Sequence, residues 1–289
     1  MRSARELSHS PKPEPRVNFF DWFTLPDEKQ WDKILEANTA LRRLSLRIRS
    51  RPKSLSDLSG FCSSWEYPSW LRLLNNRLSD VRTTYVVARH HFDKGIPDDE
   101  WFRSPGRNGL SVEYWPNFKT KHHYIKHFFD YYVDVFYYKV FSALDTLPQL
   151  LNAYFQMDVK PGRGAVTKIM KELSHRNETL FQFLDGLQEN STYQTARNIR
   201  NDLAHNFPDV DVGPGVTKYA TPGGRGVAFG IGRYTTSKEL MSNMDGLLSL
   251  VAIILKRVSR LLPREGAARM RPSQSPHRAG QNHRPRNHE

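Results

Sequence analysis

Between residues 27 and 49, Ile34, Ala37, Leu41, Leu44 and Ile48 recur at alternating steps of three and four. That spacing puts them on one stripe of a helix running from about Asp27 to Arg49, with Thr24 and Asp27 as its N-cap pair. A loop follows through Pro52 and Gly60. A second stripe, Leu71, Leu74, Leu78, Val81, Tyr85, Ala88 and Phe92, predicts a helix from Pro68 to Lys94, with Gly95 placed to stop it. Proline and glycine then interrupt the pattern from Ile96 to Pro116, and a subdomain boundary is expected there.

The stretch from Lys119 to Met157 carries Tyr124, Phe128, Phe129, Tyr131, Tyr132, Phe136, Tyr137, Tyr138 and Phe141. Aromatics on every side predict the central, most buried helix, and Pro148 should kink or break it after Leu147. Aromatics beside lysines can also stack bases, but helical spacing favours a core role. Val166, Ile169, Leu173, Leu180 and Leu184 predict a helix over Gly164 to Gln188. Ser191, with Gln194 as its capping-box partner, should open the next, and Pro208 should end it. From Asp209 to Arg233 the chain is glycine-rich, and Val216–Ala220 with Val227–Gly230 predict a small hairpin around Pro222-Gly223-Gly224. Leu240, Met244, Leu247, Val251, Ile254, Leu255 and Val258 predict a last helix from Lys238 to Leu262.

The whole reads as an all-α helical bundle with an N-terminal helical extension and a small Gly-rich β-hairpin insertion before the last helix. The expected divisions are a disordered segment over 1–18, the extension over 19–110, the bundle over 111–262 and a disordered basic tail over 263–289. Of the formal charge of +13, residues 263–289 supply +4 and the first sixteen +2, which leaves +7 for the body. A body that is basic without its ends favours a polyanionic partner. Cys62 is the single cysteine, so no internal disulfide and no Cys-rich zinc site can form; it is expected to be a packing residue in a reducing cytoplasm. No stretch approaches the roughly 20 apolar residues of a membrane span, and residues 1–16 do not read as a secretory signal.

The candidate chemistry lies in residues 196–206, Ala-Arg-Asn-Ile-Arg-Asn-Asp-Leu-Ala-His-Asn. At 100° per residue, Ala196, Ile199 and Leu203 fall within about 60° of one another and form a core face. Arg197, Asn201 and His205 are successive i, i+4 neighbours on roughly the opposite side, with Arg200 on the flank between. An arginine holds a phosphate through a planar fork of donors, and a histidine exchanges protons near neutrality. Together they point to chemistry at a phosphodiester.

Arg200, Asn201 and His205 resemble the signature of the HEPN superfamily (higher eukaryotes and prokaryotes nucleotide-binding). That signature is an arginine, a polar residue, a short spacer and a histidine near a helix end in a bundle of four or five helices. The resemblance implies a metal-independent ribonuclease without cofactor, acting on RNA from a composite site at a homodimer interface. It also implies a setting in defence, toxin–antitoxin biology or stress, with an antitoxin or regulatory protein as a further partner. His205 is then the general acid or base while the ribose 2′-OH attacks phosphorus to leave a 2′,3′-cyclic phosphate. Arg200 holds the phosphate and its developing charge, and Asn201 orients His205 or the phosphate. Arg197 is a second candidate for backbone binding, and Arg225 and Arg233 are candidates to line an RNA path. The first two helices and the glycine-rich insertion have no counterpart in a minimal domain of this type.

Two other functions remain open at this stage: a non-catalytic RNA-binding or adaptor protein of the same fold, and a helical interaction protein whose basic tail contacts polyanions. His123 and His127 have i, i+4 metal spacing but no third ligand, and Lys121 and Lys126 oppose a cation. His90, His91 and Asp93 make no better metal box. Pro222–Gly226 and Gly230-Ile231-Gly232 lack the remaining residues of a phosphate loop and read as turns.

Overall fold

In a computed structural model of the chain, residues 18–48, 58–208, 210–222 and 224–262 are described, with the backbone alone at 58–65. The terminal segments, Pro52 and the side chain of Cys62 lie outside the described residues. A single 3-10 turn at Phe19–Asp21 precedes α1 (Glu28–Ala37) and α2 (Thr39–Arg42). Then follow α3 (Leu58–Phe92), a two-residue hairpin β1 (Phe102–Arg103) and β2 (Glu113–Tyr114), and α4 (Thr120–Phe155). Next come α5 (Ala165–Arg176), α6 (Glu178–Asp185), α7 (Ser191–His205), β3 (Val216–Thr221), β4 (Gly224–Phe229) and α8 (Ser237–Leu261). The fold is all-α, with two small antiparallel hairpins.

α3 and α4 pack along each other and form the spine. α5 and α7 lie against α4, α7 also against α8, and the short α2 against α8. Phe129, Val133, Phe136, Tyr137 and Val140 of α4 meet Leu74, Leu78, Val81 and Tyr85 of α3 and Met244, Leu247, Val251 and Ile254 of α8 in one continuous core. The aromatic helix is therefore the central one, as its all-round pattern predicts, although Tyr131 and Tyr138 face outward.

The expected helix over 27–49 is interrupted at Asn38. Asp27, paired with Gln30 and not Thr24, caps α1. Asn38 takes an extended conformation, and its side chain accepts from the Ala40 N–H (3.0 Å) while donating to Asp245 on α8 (2.9 Å). One side chain thus ends α1, caps α2 and ties both to α8. Ala37 is left exposed. Leu44 and Leu46 are buried from a non-helical segment instead, docked where Asn75 exchanges two hydrogen bonds with the Leu46 backbone (2.8 and 3.0 Å).

α3 begins ten residues before the expected start, and Pro68 lies inside it. Pro68 is exposed, so the carbonyl it leaves without a donor lies on the solvent side. Pro148 does not break α4 either: Leu147, Leu150 and Leu151 are sealed in the core on both sides of it. The expected helix over 164–188 is divided at Asn177, whose side chain caps α6 (3.1 Å from the Leu180 N–H) and reaches the Leu261 carbonyl (2.9 Å). Val166 is exposed.

Candidate functional site on the α7 helix

Asn190, one residue before the expected Ser191, caps α7 by accepting from the Tyr193 N–H (3.1 Å). Ala196 is fully buried where α7 crosses the core, and Ile199 and Leu203 pack beside it, as the helical geometry requires. Tyr193 rests against Phe141 of α4, with ring centroids 5.7 Å apart. These contacts fix the rotation of α7 about its axis and so decide where its polar side chains point.

Arg200 points into the joint between α7 and α4. Its guanidinium carbon lies 5.2 Å above the Phe141 ring, and its Nε is buried without a hydrogen-bond partner among the described residues. Beside it, Arg77 of α3 donates from Nη1 to the Ser142 carbonyl (2.8 Å) and to Thr146 Oγ1. Arg77, Tyr138, Phe141, Ser142, Asp145 and Arg200 line a cavity of about 400 Å³. Burial pushes the Asp145 carboxyl up from its ordinary pKa, while Arg200 first and Arg77 second pull it back.

The other predicted residues are arranged differently. His205 is the last residue of α7 and is exposed; five residues from Arg200, it lies about 140° away around the helix. Asn201 is half-buried between them. Asn206 ends α7, its amide donating to Asp202 Oδ1 (2.6 Å). Arg197 is exposed and donates to Gln188 Oε1 (2.9 Å). Arg225 stands exposed on β4, opposite Ala220. Arg233, also exposed, lies at the hairpin neck, where its carbonyl accepts from the Gly213 N–H (3.0 Å). Arg233 and Lys218 share a cavity of about 660 Å³ with Phe207, two residues beyond His205. So Arg200 is gathered with α3 and α4, whereas His205 stands exposed at the end of α7 and lines neither cavity.

Arg77, Tyr138 and Asp145 are absent from the sequence-predicted set. The signal for the two on α4 is the spacing Tyr138, Phe141, Ser142, Asp145, an i, i+3, i+4, i+7 face that mixes aromatic and polar side chains. The glycines of the hairpin neck serve close backbone approach. Gly215 and Gly232 have positive φ, and a Cβ there would lie 2.1 Å from the Gly230 carbonyl oxygen and 2.3 Å from that of Gly213.

His123 and His127 are exposed, with rings against Phe118 and Phe19 respectively. His90 meets Thr24 Oγ1 (3.1 Å), buried His91 stacks on Phe128 and Tyr132, and Asp93 pairs with Arg89 (2.7 Å). Among the described residues no group of three or more His, Cys, Asp or Glu is placed to hold a metal ion. No described helix is long and apolar enough to cross a membrane.

No curated protein and no solved structure matches the chain. The model of the Cthe2314-like HEPN family matches residues 70–259, about two thirds of the length, beginning inside α3 and ending in α8. The match takes in the spine, the Arg77–Arg200 cavity, α7 and the hairpin, and the chain belongs to this family of the HEPN superfamily.

Proposed function

We propose that this protein is a metal-independent endoribonuclease that uses Arg200, Asn201 and His205. The observation that carries the reading is the division of labour on α7. A guanidinium whose Nε has no partner among the described residues is held over Phe141, and a histidine stands exposed at the end of the same helix. Arg200 binds the scissile phosphate and stabilises the charge that develops on it. His205 takes the proton from the ribose 2′-OH as that oxygen attacks phosphorus, or gives one to the departing 5′-oxygen, leaving a 2′,3′-cyclic phosphate and a free 5′-hydroxyl. Asn201 holds the phosphate between them.

The angle of about 140° between Arg200 and His205 keeps one copy of α7 from presenting both to the same phosphate. A homodimer with its α7 helices face to face removes that difficulty, because Arg200 of one protomer then works with the histidine of the other. Across the exposed hairpin, residues 213–233 carry Lys218, Arg225 and Arg233 and no acidic residue, which suits a path for the RNA backbone. Arg197 adds a further backbone contact.

The test is incubation of wild type and His205→Ala with total RNA and tRNA in EDTA, followed by end-group analysis. Wild type is expected to leave 2′,3′-cyclic ends, and His205→Ala to lose at least about a hundredfold in rate. Equal cleavage by both removes His205 from the mechanism; cleavage by neither folded protein assigns the chain to the non-catalytic RNA-binding class.

A further inference from the structure

The Arg77–Arg200 cavity has a chemistry of its own. Its floor is α4, contributing Tyr138, Phe141, Ser142 and Asp145; one wall is Arg77 of α3 and the other Arg200 of α7. Two guanidiniums attract an anion and oppose a metal ion. Asp145 repels a bare anion and accepts from N–H or O–H donors. A ligand that satisfies both must carry hydrogen-bond donors a short distance from a negative charge. Tyr138 adds a flat aromatic face at the rim; it is 44% exposed although its neighbour Tyr137 is fully buried. The volume of about 400 Å³ falls in the range of about 300–1,000 Å³ typical of small-ligand sites. A phosphate, a ribose or base with donor groups, and a base plane are the three parts of one nucleotide.

We infer that this cavity is a subsite for a single unpaired nucleotide of RNA, with the phosphate between Arg200 and Arg77, the base stacked on Tyr138, and Asp145 accepting from the ribose hydroxyl or an exocyclic amine. The substrate class follows. A base inside a duplex is stacked on its neighbours and hidden from a protein aromatic, so the site selects single-stranded loops or ends. Arg77 also secures the α4 backbone through Ser142, so its loss would confound binding with folding. Tyr138 carries no such duty, and it gives the clean variant.

The inference rests on RNA being the ligand of this face, but cleavage and binding are separate readouts. Binding is measured by fluorescence anisotropy in the His205→Ala background, with a ten-nucleotide single strand of mixed sequence and the blunt duplex of the same sequence. The single strand is expected to bind more tightly than the duplex. Tyr138→Ala should weaken single-strand binding about 5- to 150-fold, the contribution of one stacked base, while Tyr138→Phe retains it. Equal affinity for strand and duplex, or no effect of Tyr138→Ala, overturns the subsite. If wild type still cleaves in that case, the ribonuclease reading stands without it. Tyr138-dependent binding by a protein that never cleaves supports the subsite and overturns the ribonuclease. No binding of either probe overturns the subsite, and the cleavage assay alone then decides the ribonuclease reading.

Discussion

Along α4, Phe129, Val133, Phe136, Tyr137 and Val140 are sealed from water, whereas in β3 and β4 every described residue but Gly226 is exposed, Phe229 by 84%. The two regions are held in place by different forces. The spine is stabilised by buried apolar area, which is non-directional and large. A two-stranded hairpin has no such reserve and is marginal alone. Its position depends on polar contacts at its neck. The Gly230 N–H donates to the Gly215 carbonyl (2.6 Å), and Tyr114 Oη donates to the Ile231 carbonyl (3.2 Å).

Behind the neck lies a buried polar cluster that fastens it to α4 and α8. Lys126 of α4 pairs with Asp130 (2.5 Å), donates to the Val210 carbonyl (3.1 Å) and sits over the rings of Trp115 and Tyr234. Asp98, almost completely buried, accepts from Tyr234 Oη and from the N–H (2.8 Å) and hydroxyl (2.7 Å) of Ser237 at the start of α8. The hairpin is an arm on a polar joint, and the spine is a closed apolar body. The Arg200 cavity belongs to the body, and the cavity lined by Phe207, Lys218 and Arg233 belongs to the arm.

The strongest break between the two regions comes from truncating one aromatic in each. Phe136→Ala should cost about 3–5 kcal/mol in chemical unfolding, because it opens a cavity in a packed core. Phe229→Ala should change stability by less than about 0.5 kcal/mol. Comparable losses would mean that the hairpin packs on the body after all.

A smaller effect separates the joint from the core by its pH dependence. Burial raises the Asp130 carboxyl from 3.8 to about 7, against the pull of Lys126. A raised carboxyl pKa means that the folded protein holds a proton the unfolded chain has released. The contribution is therefore fully present below about pH 4 and is lost as pH rises through about 7. Asp130→Asn cannot titrate. The stability of wild type relative to this variant should fall between about pH 4 and 7 in thermal melts and level off above, and a constant difference would rule out Asp130 as the linked group.

The smallest effect sharpens the role of the arm. Arg225→Ala should leave stability unchanged and weaken RNA binding by reducing the slope of log K against log salt by about one. A steeper or unchanged slope would take Arg225 off the RNA path.

Much of this molecule was legible in the chain before any coordinates. The core stripes of α3, α4 and α8 follow from periodicity because the apolar face of a helix must be buried somewhere. The hairpin followed from Gly and Pro between short β-prone runs, and Ala196, Ile199 and Leu203 were rightly assigned to the core side of α7. Where the helical reading ran too long, at Asn38 and Asn177, the cause is tertiary. Each asparagine caps a helix with one amide atom and bonds α8 with the other, and nothing local distinguishes such a residue from an asparagine on a solvated face. α3 was read too short at Pro68 because a proline on the solvent side costs a helix less than one facing the core.

Sequence alone therefore determined the fold class, the basic body and the pairing of an arginine with a histidine on one short helix, since these depend on residue type and spacing along a single element. Only the tertiary structure decided that Arg200 shares a cavity with Arg77 of α3 and with Tyr138 and Asp145 of α4, all 55 or more positions away in the chain. It also decided that His205 is left in solvent at the end of α7. Side chains from different helices meet according to how those helices cross, and the crossing is set by the whole core at once.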